Sequence, residues 1–132
     1  MTAREDITPI TPERWLKNLL DVLGQIADSE RQERRWLAPD AYAWECPDEL
    51  IRTVDDAVFE GFLERYALTF SDEQREAAFG FRDAFTNYCD STPQHLDPAE
   101  TLADPRWDFV RQKAAAFILA FSYKWPFSAS VE

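Results

Sequence analysis

At 132 residues the chain has ordinary single-domain length and can bury roughly two-thirds of its unfolded surface without metal or disulfide staples. Its apolar share of 45%, with ten Phe, five Trp and four Tyr, excludes an intrinsically disordered chain. Twenty-five acids against fourteen bases leave a net charge of −11, a field that repels nucleic acid and anionic membrane and attracts basic partners.

Residues 1–10 hold no apolar run, so no signal peptide is expected. Thr11-Pro12 then reads as a helix N-cap and first helical position. Behind it Trp15, Leu16, Leu19, Leu20, Leu23, Ile26 and Ala27 share one side at 3.6-residue spacing, with Lys17, Asp21, Gln25 and Asp28 opposite. Asp28-Ser29 either interrupts this helix or lies within one that runs on to Leu37. The stretch from Ala38 to Cys46 has Pro39 and no periodicity and reads as an ordered loop. Pro47 restarts a helix with Leu50, Ile51 and Val54 inward and Asp48, Arg52, Asp55 and Asp56 outward. Phe59, Phe62, Leu63 and Tyr66 repeat at i, i+3, i+4 and i+7 in the next segment.

Ser71 with Gln74 forms a capping-box signature for a helix that presents Ala78, Phe81, Phe85, Tyr88 and Cys89 on one face and stops before Pro93. Asp97-Pro98 opens a short helix or turn, and Asp104-Pro105 opens the last helix. There Trp107, Val110, Ala114, Phe117, Ile118 and Phe121 form one face. Phe109, Ala116, Leu119, Ala120 and Tyr123 make the opposite face apolar too, which predicts a helix buried all round. The expected fold is all-α: a single domain over residues 1–132, with five to six helices packed around a largely apolar C-terminal helix.

Few groups able to carry chemistry are present. Three glycines leave no room for a Gly-rich phosphate loop, and no nucleophile elbow or dinucleotide fingerprint occurs. His95 lies in a loop with no second histidine or nearby cysteine, so it reads as a solvated side chain. Cys46 and Cys89, 43 positions apart, read as reduced thiols in a cytoplasmic protein. Asp55, Asp56 and Glu60 outline a carboxylate cluster, but the Glu-x-x-His spacing of helical metal sites is missing. No metal, cofactor or catalytic residue is expected. The longest apolar run, Ala114 to Phe121, falls far short of the roughly 20 residues that span a bilayer.

Charge is concentrated in one segment. From Asp40 to Glu64 there are eight acids and one base, Arg52. Asp56, Glu60 and Glu64 would stack at i, i+4 and i+8 on one continuous helix, where like charges cost about a few tenths of a kcal/mol per pair. Such a run is either a solvated face or a docking surface for a cationic protein. Tyr42 and Trp44 sit within it as aromatic anchors of the kind that dominate binding energy. Arg31, Arg34 and Arg35 lie just upstream and could neutralise part of it inside the fold.

The succession Gln32-Glu33-Arg34-Arg35-Trp36-Leu37, Pro47-Asp48-Glu49-Leu50 and Val54-Asp55-Asp56 resembles small bacterial immunity proteins of contact-dependent growth inhibition and related polymorphic toxin systems. It covers roughly residues 20–66, about a third of the chain. The resemblance implies a protein that binds and occludes a cognate toxin domain, commonly a basic nuclease, with no catalytic residues to carry over. The expected partner-binding residues are Tyr42, Trp44, Asp48, Asp55, Asp56, Glu60 and Glu64. Two other readings stand beside it: a non-catalytic helical adaptor or subunit of a cytoplasmic assembly, and a small carboxylate-dependent enzyme using Asp55, Asp56 and Glu60. Oligomeric state is left open by the sequence.

Overall fold

A computed structural model describes residues 11–37, 47–92 and 97–121. Among these residues there are seven α-helices: α1 Pro12–Ala27, α2 Ser29–Trp36, α3 Pro47–Asp56, α4 Phe59–Tyr66, α5 Asp72–Asp90, α6 Pro98–Ala103 and α7 Pro105–Phe121. A 3-10 turn at Ala67–Thr69 joins α4 to α5, and no strand occurs among the described residues.

The predicted caps form. Thr11 is extended and its Oγ1 accepts from the Arg14 amide at 3.1 Å. Ser71 Oγ accepts from the Gln74 amide at 3.1 Å while Gln74 Oε1 accepts from the Ser71 amide at 2.9 Å. Each satisfies a donor that the first helical turn leaves unpaired. Asp28 settles the question of one helix or two. Its amide donates to the Gln25 carbonyl, ending α1, and its Oδ1 accepts from the Arg31 amide at 3.0 Å, starting α2.

Helix α7 organises the bundle. It packs against α5 and α1 along its length and against α6 at its start, while α3 leans on α1 and α2 on α6. Trp107, Val110, Ala114, Phe117 and Phe121 are its buried side chains, all from one face. Phe117 and Phe121 stack at 4.3 Å between centroids, and Phe70 meets Phe121 edge-on at 5.1 Å. Tyr88 of α5 and Trp36 of α2 flank Trp107 at 5.2 and 6.1 Å. Burying each such ring contributes roughly 1.5–3 kcal/mol, so this line of aromatics dominates the core.

The expected all-round burial of α7 does not hold. Phe109 is 49% exposed, Leu119 is 75% exposed, and Ala116 is exposed between them. Among the described helices, α1 and α5 cover one side of α7, and Phe109, Ala116 and Leu119 lie on the other. Tyr123 lies outside the described residues.

One buried polar residue, Gln32, ties three helices together. Its Nε2 donates to the carbonyls of Gln25 at 2.9 Å and Ile26 at 2.8 Å in the last turn of α1. Its Oε1 accepts from Trp107 Nε1 at 3.1 Å and from the Arg111 guanidinium at 3.4 Å. Gln32 and Trp36, both in the motif that carries the family resemblance, are therefore core residues here.

Candidate functional site

The described part of the acidic segment, residues 47–64, folds as a corner between α3 and α4. Val58 makes the corner by adopting left-handed backbone, φ 56° and ψ 54°, a conformation costly for a β-branched residue. Its amide donates to the Asp55 carbonyl at 2.9 Å, and its own carbonyl accepts from the Phe62 amide at 3.1 Å. Trp15 of α1 holds the corner from beneath, donating from Nε1 to the Ala57 carbonyl at 2.9 Å. Phe59 drives α4 into the core, 5.2 Å from Phe81 and 5.5 Å from Phe117.

This break corrects one expectation. Asp56 does not continue the Glu60–Glu64 row, because α3 ends at Asp56 and α4 begins at Phe59. The acids are distributed over two helices separated by Ala57 and the left-handed Val58, so the three do not form one i, i+4, i+8 row.

The predicted partner-binding residues fall into three groups. Tyr42 and Trp44 lie outside the described residues, as do Asp40 and Glu45. Asp48 is half-buried in the first turn of α3, where a carboxylate meets the positive end of the helix dipole. Asp55, Asp56, Glu60 and Glu64 are exposed. Of these four, Glu60 is paired, its carboxylate 3.5 Å from Arg82. Asp55 and Asp56 make no ion pair with any described residue. Arg52, the nearest cation in sequence, turns instead to Glu49 at 3.2 Å.

Beside the corner lies a groove of about 290 Å³ between α3, α4 and α5. Val54, Phe59 and Phe85 supply apolar wall, and Asp55, Glu60 and Asp90 supply carboxylates. Arg82, the one lining cation among the described residues, is already committed. It contacts Asp83 at 3.0 Å as well as Glu60, and its guanidinium lies 4.6 Å from the centre of the Phe79 ring. Cys89 opens into the same groove, half-buried. Burial, and then the carboxylates of Asp55 and Asp90, push its thiol up to about 11, so it is protonated at neutral pH and a poor nucleophile.

Thr86, Cys89 and Asp90 were not legible as site residues, because nothing in one sequence says which face of α5 meets the α3–α4 corner. Among the described residues no three His, Cys, Asp or Glu side chains converge as metal ligands, and no helix is long and apolar enough to cross a membrane. Every buried side-chain polar atom among them has a hydrogen-bond partner. No protein-family model, curated protein sequence or solved structure matches this chain.

Proposed function

We propose that this chain is a protein-binding module that docks a basic partner on the α3–α4 corner, and that the partner is a toxin domain whose active surface it occludes. The observation that carries the reading is the pair Asp55 and Asp56, exposed at the α3–α4 corner with no ion pair to any described residue. Stability alone favours interspersed opposite charges, whereas an uncompensated carboxylate pair complements lysine or arginine on another surface. Asp48, Glu60 and Glu64 extend the acidic surface across the two helices, and Tyr42 and Trp44 supply the aromatic anchors of the contact in this reading. The resemblance of Gln32–Leu37, Pro47–Leu50 and Val54–Asp56 to immunity proteins supplies the toxin. In this reading the protein acts in the cytoplasm, without catalysis, cofactor or nucleic acid.

Co-expression tests it. The C-terminal domain encoded by the adjoining reading frame is induced in a host with and without this chain. Growth should be arrested without the chain, restored by the parent and lost again with Asp55→Lys/Asp56→Lys. Equal protection by the double reversal would remove the acidic corner from the mechanism. No arrest, or no protection by the parent, would remove the toxin reading.

A second reading, a helical subunit of a larger assembly, draws on the exposed apolar positions Phe109 and Ala116 of α7. Phe109→Glu/Ala116→Glu separates the two. It should abolish partner capture under the subunit reading and leave protection intact under the toxin reading.

A further inference from the structure

The groove beside the corner narrows what the partner must bring, granted that the corner is a docking face. We propose that it takes one long basic side chain of the partner, a lysine or arginine, with the alkyl stem against Val54, Phe59 and Phe85 and the charged head between Asp55 and Asp90. Three features of the groove lead there. Its volume of about 290 Å³ lies just below the roughly 300–1,000 Å³ range of small-molecule sites, which suits a single side chain better than a cofactor. Its walls mix apolar surface with carboxylates, the complement of a methylene stem that ends in a cation. Its charges are unbalanced, because Arg82 is held by Glu60, Asp83 and the Phe79 ring, and no other described cation pairs with Asp55 or Asp90. Asp55 and Asp90 line the same groove as Cys89, whose thiol is pushed up by burial and then by these two carboxylates.

Such a knob is the arrangement expected of a hot spot: a long side chain buried at the centre, with the remaining acids as a solvated rim. Asp56 and Glu64 do not line the groove and belong to that rim. They would steer a basic partner without holding it, which makes groove and rim separable by experiment.

The probe is fluorescein-labelled octaarginine, titrated into the full chain by anisotropy. Asp55→Asn/Asp90→Asn and Asp56→Asn/Glu64→Asn each remove two charges. The groove pair should lose about tenfold in affinity, about 1.4 kcal/mol, and the rim pair much less. Thr86→Trp keeps every charge and places an indole over the groove from an exposed helical position, so it should match the groove pair. Circular dichroism and melting temperature check each variant. If Thr86→Trp does not fold, the contrast between the two Asn pairs still decides. Equal losses in the two pairs, or full binding by a folded Thr86→Trp, would overturn the groove and leave docking on the acidic face standing. No binding of octaarginine by the parent would overturn the groove as well, while docking itself is judged by growth protection.

Discussion

Asp104 does two jobs at the junction of α6 and α7. It closes α6, and its Oδ1 accepts from the Arg106 amide at 2.8 Å to cap α7. The Arg106 guanidinium bonds the same carboxylate at 2.7 Å and reaches Ser91 Oγ at 2.8 Å, clasping the start of α7 to the end of α5. Hydrogen bonds from Arg106 hold the Asp104 carboxyl below the ordinary carboxylate range. A depressed pKa adds stability above the unfolded value, about 3.9, and that stability is lost as pH falls through the folded value. Asp104→Ala should therefore cost about 1 kcal/mol at pH 7, and the gap between thermal melts of parent and variant should narrow as pH falls below about 4. A gap that does not narrow on acidification would assign the cost to packing. Cys89 gives a second test at this scale. In a Cys46→Ser background its alkylation rate should climb steadily from pH 8 to pH 10, consistent with a thiol near 11, and Asp55→Asn should shift that profile to lower pH.

At the scale of the element, the α3–α4 corner stores strain. Val58 occupies left-handed backbone, and a Cβ placed on Gly61 would lie 2.8 Å from Val58 Cγ1 and 3.7 Å from the Trp15 ring. Asparagine tolerates the left-handed region without the entropy cost of glycine, so Val58→Asn should raise stability by about 1 kcal/mol in denaturant melts. Gly61→Ala should destabilise the parent and be better tolerated beside Val58→Asn, a coupling that a double-mutant cycle measures directly. Additive effects would place the obstacle at Trp15 instead. Helix α7 gives a contrast between faces. Ala114 is fully buried and Ala116 exposed, two residues apart. Ala114→Asp should destabilise by several kcal/mol through a buried charge, Phe117→Ala by about 3–5 through a cavity, and Ala116→Asp by little. If both aspartates melt alike, the two faces have been assigned wrongly.

For the whole molecule, net charge sets the sign of the salt response. At −11 the compact state works against its own repulsion. Salt that shortens the Debye length from about 30 Å at 0.01 M to about 8 Å at 0.15 M should raise the melting temperature. A fall would show that internal ion pairs such as Arg82 with Glu60 outweigh the repulsion. The same field should accelerate encounter with a basic partner. Asp55→Asn/Asp56→Asn should therefore slow association and flatten its salt dependence, with the melting temperature nearly unchanged because exposed charges contribute little to stability.

The chain by itself determined the helical class and most helix boundaries, since caps and 3.6-residue periodicity are local. Thr11-Pro12, Ser71 with Gln74, and Asp97-Pro98 act within one turn of where they stand. The inner faces of α1 and α5 followed from the same periodicity. Only the tertiary structure decided the rest. Whether Phe109 and Leu119 are covered depends on how many helices reach α7, and α1 and α5 cover one side of it. The break at Val58 runs against backbone preference and is held by Trp15 and Phe59, which lie on either side of it in sequence. The groove belongs to no single segment. Asp55 and Asp90 are 35 positions apart, and the packing that buries Phe59, Phe81 and Phe85 brings them to one opening.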